Sequence, residues 1–175
     1  MKYVAAALVL MLCAFAAPNV AAAQPVQASV RVDSPVFVIR HLQKGEGPDP
    51  SLTAQGRANA QRLAAMLKDK GIKAIFATPT RRAMETGEPL ASALGLKVTP
   101  YDPANVAALA AAVKAAAGPV LIVGHSNTVP ELVALFGGTR PAPIGDEDYG
   151  TLFEVAPGGA VTSASVSLTR SERGR

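Results

Sequence analysis

Apolar runs alternate with amphipathic stretches along most of this chain, and the runs predict the strands of a sheet. Residues 36–39 and 120–123 each form four consecutive large apolar positions, which is typical of a strand buried on both faces of a parallel sheet. A shorter apolar run at 72–78 predicts another strand, and a brief strand is predicted around 97–99. The sheet is therefore predicted to be mainly parallel.

Between these runs, apolar residues recur at the spacing of an amphipathic helix, which predicts helices between the strands. One stripe lies between Thr53, a predicted N-cap, and Gly71, and a second extends from Pro79 to Gly95. Pro89 is predicted to kink or split the second helix. Two more stripes lie at 106–113 and 129–136, each followed by a glycine within a few residues.

The C-terminal part of the pattern differs, because two strand-like segments follow each other without a helix. A long loop over 139–150 leads into strands at 151–155 and 160–168, with a Pro-Gly-Gly turn at 157–159. The order of elements predicts a three-layer α/β/α sandwich with a mainly parallel sheet and an antiparallel edge hairpin. We predict one domain over 36–168, preceded by a linker over 24–35 and followed by a flexible tail over 169–175.

Residues 1–23 read as a signal peptide rather than as part of the fold. Lys2 forms a positively charged n-region, residues 4–17 form an apolar h-region, and three alanines before Gln24 supply the small residues of a cleavage site. An uncleaved anchor is the alternative, and a lipoprotein site at Cys13 fits worse because bulky Leu12 precedes it. Cleavage predicts an exported protein, periplasmic or secreted, without cysteine and without a stable membrane anchor.

The excess of basic over acidic residues favours binding of small anions rather than of nucleic acid. The chain has 17 Lys and Arg against 13 Asp and Glu, a formal charge of +4, and removal of Lys2 would leave 16 against 13, or +3. The basic residues are scattered, there is no Trp, and basic residues are not interleaved with aromatic ones. We therefore predict no nucleic-acid partner.

Both histidines of the chain follow predicted buried strands directly. His41 comes after 36–39 and Arg40, and His125 comes after 120–123 and Gly124. One such histidine alone is more simply a structural imidazole, but two at strand ends predict a shared crevice, because ligands bind beyond the carboxyl ends of parallel strands. One imidazole would then act as nucleophile and the other as hydrogen-bond donor.

Two arginines indicate what the crevice would bind. Arg40 precedes His41, and Arg82 lies in the first turn of the helix that follows the strand at 72–78. Guanidinium groups bind phosphate oxygens, and a helix N-terminus favours an anion. These cations are also expected to lower the pKa of His41 and keep it neutral. Arg82 alone would be a solvated charge, which remains our interpretation of Arg81.

Together these motifs resemble the histidine phosphatase superfamily, the phosphoglycerate mutase-like family, in its small cap-less branch. The resemblance rests on Arg40-His41, on the Thr-Pro-x-x-Arg-Ala segment at 78–83, and on Gly124-His125. The segment 49–56, Asp-Pro-Ser-Leu-Thr-Ala-Gln-Gly, resembles the family's Leu-Thr-x-x-Gly motif. The similarity covers about 36–166.

The resemblance implies a phosphoglycerate mutase-like fold and a phosphohistidine mechanism. His41 would attack phosphorus, while Arg40, Arg82 and His125 hold the phosphoryl oxygens. The expected partner is a small phosphorylated substrate or phosphate, and we expect no cofactor and no metal, because no metal-ligand spacing is present.

The sequence departs from the family in three places. Leu42 stands where a small residue is usual, and we expect it to narrow the mouth of the pocket. Ser126-Asn127 follows His125, so an aspartate proton donor is missing there, and no insertion long enough to carry an acidic donor is present. Candidate donors remain in two loops, although each is more simply a solvated loop acid; they are Glu46, Asp146, Glu147 and Asp148.

These observations predict an exported phosphatase that hydrolyses a small phosphorylated substrate. The alternative is a catalytically weak module of the same fold that binds phosphate. A mutase is disfavoured, because little chain is left to build a cap. The sequence leaves the substrate and the oligomeric state open.

Overall fold

The computed structural model describes residues 29–167. The predicted signal peptide over 1–23, including Cys13, and the predicted tail over 169–175 lie outside the described residues. Six strands and four helices follow one another along the described chain: β1 (Val36–Arg40), α1 (Ala54–Leu67), β2 (Ala74–Ala77), α2 (Arg81–Leu94), β3 (Val98–Pro100), α3 (Val106–Ala115), β4 (Val120–Gly124), α4 (Val129–Leu135), β5 (Thr151–Val155) and β6 (Val161–Ser165).

The strands form one six-stranded sheet in the order β3-β2-β4-β1-β5-β6. The first four are parallel, and the hairpin of β5 and β6 adds two antiparallel strands at one edge. Thus the predicted mainly parallel sheet with an antiparallel edge hairpin is confirmed.

Each face of the sheet carries its own core. Phe37 and Ile39 pack with residues of α1 and α2, whereas Val36 and Val38 pack with residues of α3 and α4. This alternation follows from the period of two in a strand, and burial on both faces explains why β1 and β4 are apolar throughout. The predicted three-layer α/β/α sandwich is therefore confirmed.

The helix caps follow the predicted chemistry in part. Thr53 caps α1, because its hydroxyl accepts a hydrogen bond from the Gly56 N–H at 3.1 Å. The second helix begins at Arg81 rather than at Pro79 and continues through Pro89 as one helix, so the predicted split at this proline was wrong. Residues on both sides of Pro89, among them Gly87 and Leu90, are buried and hold this helix on the sheet.

The predicted linker packs on the domain over its last residues. The Val30 N–H donates to the Leu135 carbonyl at 2.6 Å, and the side chains of Val30 and Val32 pack against the core beside α3 and α4. Within the described residues no helix is long and apolar enough to cross a membrane.

Candidate active site

The two histidines meet at the carboxyl end of the sheet. Because β1 and β4 are parallel neighbours with Arg40 opposite Gly124, the residues that follow these strands emerge side by side. The His41 N–H donates to the Gly124 carbonyl at 2.9 Å, which continues the pairing by one residue. The ring centroids of His41 and His125 are 5.3 Å apart in an edge-to-face arrangement.

His41 is buried and its imidazole is oriented by one hydrogen bond. Its Nδ1 lies 2.9 Å from the Leu42 carbonyl oxygen. A carbonyl only accepts, so Nδ1 carries the proton and Nε2 keeps its lone pair. All contributions together lower the pKa of His41 to about 4. Burial is the largest cause, the hydrogen bond to the Leu42 carbonyl opposes it, and positive charge at His125, Arg40 and Arg82 contributes smaller decreases. The predicted direction is correct, but burial outweighs the arginines as its cause.

Arg40 is held by the loop between α4 and β5. Its Nη1 donates to the carbonyl oxygens of Gly145 at 2.7 Å and Asp148 at 3.0 Å. The guanidinium carbon lies 4.1 Å from the centroid of the Tyr149 ring, in a cation–π contact. The Tyr149 ring is also 5.9 Å from that of His41. Arg40 is therefore fixed on one side, while its buried Nε has no partner among the described residues.

Arg82 is positioned by the first turn of α2 and by Asp49. Its Nη1 lies 3.7 Å from the Asp49 carboxylate, which also accepts a hydrogen bond from the Arg81 N–H at 2.9 Å. Asp49 thus supplies the helix cap that Thr80, without a side-chain cap bond, does not make. The side chain of Arg82 is 18% exposed, whereas Arg81 as a residue is exposed, as its interpretation as a solvated charge requires.

His125 is half-buried and held from two directions. Its Nε2 is 2.9 Å from the Thr78 hydroxyl, and its N–H donates to the Thr128 hydroxyl at 2.9 Å. Burial lowers the pKa of His125, and the charges of Arg82 and Arg40 lower it further. The His41 and His125 rings contact each other, and the charges of Arg40 and Arg82 lower the pKa of both imidazoles, so the four predicted residues lie near one another.

Leu42 lies in the core and not at the mouth of the pocket, which corrects our expectation. Its side chain is fully buried with residues of α1 and α2. Its N–H donates to the Thr86 hydroxyl at 3.1 Å, and that hydroxyl donates to the Arg82 carbonyl at 2.8 Å. Because its side chain is buried in the core, Leu42 anchors the loop after His41 instead of narrowing the opening of the pocket.

The four candidate proton donors occupy exposed loop positions. Glu46 lies in the bend after β1, and Asp146 and Glu147 form an exposed turn. The Asp148 carboxylate accepts from the Gly145 N–H at 3.0 Å and stabilises that turn. The loop reaches the site through main-chain carbonyls and Tyr149.

Sequence reasoning missed the residues that hold the catalytic candidates in place. Thr78 and Thr128 contact His125, and Thr86 joins the two segments that carry His41 and Arg82. Thr78 ends the apolar run and opens the Thr-Pro-x-x-Arg-Ala segment, so its hydroxyl at a buried strand end was a usable signal. Tyr149 carried no such signal, because its contact with Arg40 spans more than 100 positions.

The arrangement suits transfer of a phosphoryl group. A neutral imidazole with a free Nε2 lies among two guanidinium groups and a second imidazole, and phosphoryl transfer depends mainly on positioning and charge stabilisation. Residues 29–167 contain no group of three or more His, Cys, Asp or Glu residues that could hold a metal ion.

A family model and solved structures resemble this chain. The model described as histidine phosphatase superfamily (branch 1) matches residues 39–103, which include the end of β1 with Arg40-His41 and the Arg82 segment. No curated protein sequence matches significantly.

Three solved folds illustrate the structural likeness. The protein histidine phosphatase SixA, complexed with tungstate, aligns with a TM-score of 0.58 and 24% identity over 75% of this chain and 97% of its own. A mycobacterial glucosyl-3-phosphoglycerate phosphatase with inorganic phosphate aligns at 0.57 and 16% over 78% and 100%. A phosphoserine phosphatase mutant from Entamoeba histolytica with phosphoserine aligns at 0.55 and 15% over 75% and 95%. At these identities the likeness shows a shared fold.

Proposed function

We propose that this chain, whose resemblance to the histidine phosphatase superfamily is confirmed by the family model and the shared fold, is a phosphatase that works through a phosphohistidine on His41. The observation that carries the proposal is the Nδ1 bond of His41 to the Leu42 carbonyl. It leaves Nε2 unprotonated in a pocket that contains Arg40, Arg82 and His125.

The first step forms a P–N bond and breaks a P–O bond. The Nε2 lone pair of His41 attacks phosphorus, and the leaving oxygen departs with the bonding electrons and takes a proton from solvent water. Arg40 and Arg82 offer guanidinium N–H groups to the phosphoryl oxygens, since each has a buried Nε without a partner among the described residues. His125 donates a further hydrogen bond.

The second step returns the enzyme to its starting state. Water attacks the phosphorus of phosphohistidine, the P–N bond breaks, and its electron pair returns to Nε2. The water loses a proton to solvent or to a nearby base, and inorganic phosphate leaves. With its pKa lowered to about 4, mainly by burial, the His41 imidazole stays neutral and ready for the next attack.

A small phosphorylated compound is the proposed substrate. The solved relatives are described with tungstate, inorganic phosphate or phosphoserine, which supports an oxyanion or phosphomonoester in this pocket. General acid catalysis contributes about 100- to 10,000-fold, so a good leaving group needs the exposed loop acids least. We propose activity without a metal ion, because the four pocket side chains supply the charge stabilisation.

Export of the mature protein is part of the proposal. The signal-peptide pattern over 1–23 supports it, with cleavage after Ala23. The protein would then act in the periplasm or outside the cell.

Trapping the phosphoenzyme tests the mechanism. The protein is mixed with an aryl phosphate labelled at phosphorus, and the reaction is quenched in acid or in base. Because phosphohistidine is labile in acid, the label should be lost from the acid-quenched sample and retained in the base-quenched one. We expect label on the wild-type protein and none on His41→Asn. Binding of phosphate without any label would favour the alternative, a phosphate-binding module with weak catalysis.

A neighbouring pair of arginines provides a matched control for the pocket. Arg82→Gln should lower kcat/KM by about 100-fold or more, because it removes a charged donor to the transition state. Arg81→Gln should leave it within about twofold, because this side chain is exposed one position away. Steady-state turnover of an aryl phosphate measures both, and equal losses would exclude the assigned role of Arg82.

A further inference from the structure

The loop between α4 and β5 contains a closed turn over 145–148 that lies against the Arg40 side chain. The Asp148 N–H donates to the Gly145 carbonyl at 3.1 Å, and the Gly145 N–H donates to the Asp148 carboxylate at 3.0 Å. The carbonyls of the same two residues accept from Arg40 Nη1 at 2.7 and 3.0 Å. This turn therefore fixes one corner of the guanidinium group.

The residue that follows the turn, Tyr149, contacts the face of the same guanidinium. The guanidinium carbon of Arg40 lies over the Tyr149 ring, 4.1 Å from its centroid. Because a hydrogen bond tolerates roughly 30° of bending, two bonds at Nη1 fix that nitrogen more tightly than the tilt of the whole group. An aromatic ring under the guanidinium carbon restricts this tilt. The Tyr149 ring thus supplies a restraint that the turn lacks.

The main chain at Tyr149 is tied to the end of β6. The Ser167 hydroxyl donates to the Tyr149 carbonyl at 3.2 Å, and the Val166 N–H donates to the Gly150 carbonyl at 2.8 Å. Gly150 has a φ of 87°, and a Cβ atom there would collide with the Ser167 hydroxyl oxygen. The edge hairpin therefore holds the backbone that carries the Tyr149 ring.

The side of Arg40 that points away from the turn is the side available to a phosphoryl group. Arg40 is 5% exposed, and its buried Nε has no partner among the described residues. The ring of Tyr149 also lies beside His41, with 5.9 Å between the ring centroids. Donors stabilise a transition state best when they are oriented before the reaction begins. A fixed tilt of the guanidinium is such an orientation.

We propose that Tyr149 is a positioning residue, whose ring holds the Arg40 guanidinium in the orientation in which its Nε–H meets a phosphoryl oxygen. This role rests on the proposed function, in which Arg40 holds the phosphoryl group. Tyr149 acts through Arg40 and needs no contact with the substrate. Its ring carries the role, and its hydroxyl does not.

NMR relaxation of the Arg40 side chain, measured on the protein without substrate, tests the restraint directly. The ¹⁵N signal of Arg40 Nε–H is assigned by its loss in Arg40→Lys. We expect an order parameter of about 0.85 in the wild type and in Tyr149→Phe, and a value below about 0.6 in Tyr149→Leu. A mobile Nε–H in the wild type, or a rigid one in Tyr149→Leu, would overturn the proposal. Tyr149→Met, also without a ring, repeats the test if the Leu variant does not fold.

Turnover of an aryl phosphate tests whether the restraint matters for the reaction. Tyr149→Leu should lower kcat/KM about tenfold, because a desolvated cation–π contact is worth a factor of this order. Tyr149→Phe, which keeps the ring, should recover all but about threefold. In an Arg40→Gln background the change from Tyr149 to Leu should cost less than about twofold, because no guanidinium is left to hold.

Two kinetic outcomes would refute the role of the ring. Equal losses on Tyr149→Leu in the wild-type and Arg40→Gln backgrounds would show that Tyr149 does not act through Arg40. A loss in Tyr149→Phe as large as in Tyr149→Leu would assign the effect to the hydroxyl. The relaxation measurement needs no turnover, so loss of order in Tyr149→Leu without turnover by any variant would count against the phosphatase and still support the positioning of Arg40.

Discussion

At the scale of single residues, the peptide unit of Leu42 orients His41, the proposed nucleophile. Its carbonyl fixes the tautomer of His41, its N–H is tied through Thr86 to the helix that carries Arg82, and its side chain lies in the core. A small residue would supply the same backbone groups but no buried anchor. In this chain the loop after the strand is therefore held by packing as well as by hydrogen bonds.

The lowered pKa of His41 predicts an unusual acid limit for activity. Since this pKa is lowered from 6.5 to about 4, mainly by burial, and the pKa of His125 is also lowered, neither imidazole should charge near pH 6.5. If loss of activity follows protonation of His41, we expect kcat/KM, corrected for ionisation of the substrate, to fall with a midpoint near pH 4 rather than near 6.5. Initial rates on an aryl phosphate across this range measure it. A limb centred at pH 6.5 would contradict the assignment.

The lowered pKa of His41 also makes the free energy of unfolding depend on pH. Between pH 6.5 and about 4 the unfolded chain binds a proton at position 41 that the folded protein does not bind. His41 therefore lowers the free energy of unfolding as the pH falls through this window, and its full stability contribution is present above pH 6.5. In urea unfolding, the free energy of unfolding should decrease less from pH 7 to pH 5 for His41→Asn than for the wild type.

Thr78 is predicted to position His125 for catalysis. Thr78→Val keeps the shape of the side chain but removes the 2.9 Å contact with Nε2, so the ring loses its hydrogen bond to this hydroxyl. We expect kcat to fall about tenfold, the equivalent of one hydrogen bond, with a smaller change in KM. Thr78→Ser retains the hydroxyl and should restore most of kcat. If the Val and Ser variants have equal kcat, the hydroxyl does not position His125.

At the scale of elements, the close approach of α1 to the loop after His41 requires a glycine. A Cβ on Gly56 would collide with the main-chain carbonyl oxygen of Gln43, and it would lie 3.2 Å from the Cβ of Leu52. That carbonyl also accepts from the Thr53 N–H at 2.9 Å. The motif Leu-Thr-x-x-Gly is thus explained by packing, because Gly56 lets the capped end of α1 contact the loop.

Gly56→Ala should therefore destabilise the protein, although replacing glycine by alanine within a helix usually stabilises it. Replacing a helical glycine by alanine usually stabilises by about 1 kcal/mol. Here we expect the free energy of unfolding in urea to fall by about 1–3 kcal/mol, because the loop must move. Ala58→Gly, at an exposed position of the same helix, should cost only about 0.5–1 kcal/mol. A stabilised Gly56→Ala protein would show that helix propensity outweighs the collision.

At the scale of the whole molecule, sequence periodicity predicted the layers well because burial dictates it. Strands β1 and β4 are buried on both faces, so their continuous apolar runs could be recognised as strands in the sequence. The turn residues around 157–159 indicated the edge hairpin. Pro89 was misleading, because the tertiary contacts of its neighbours override a local helix breaker. Element ends also shifted by one or two residues, as the strand predicted over 72–78 shows.

The candidate site was predictable only where its residues end an element. His41 and His125 follow strands, and Arg82 starts a helix, so topology alone brings them together. The residues that hold them, such as Thr86 and Tyr149, act across 44 or more positions and depend on how loops pack. Asp49 lay in a recognised motif, but its contact with Arg82 follows from the path of a loop that no periodicity describes.

The packing of residues 29–33 on the sandwich gives a final prediction about where the stable domain begins. The Val30 N–H bonds to the last residue of α4, and Val30 and Val32 cover part of the core beside this helix. Chains that begin at Gln24 and at Ser29 should unfold in urea with free energies within about 0.5 kcal/mol of each other, because both keep these contacts.

A chain that begins at Ser34 should lose about 1–3 kcal/mol, since two half-buried valines and one backbone hydrogen bond are removed while Pro35, whose carbonyl accepts from the Val120 N–H, is kept. The candidate active site lies at the opposite, carboxyl end of the strands, so we expect turnover of an aryl phosphate by the folded fraction to stay within about twofold. Equal stability of the chains that begin at Ser29 and Ser34 would show that residues 29–33 are only a spacer. A large loss of turnover at unchanged stability would instead mean that α4 transmits this contact to His125.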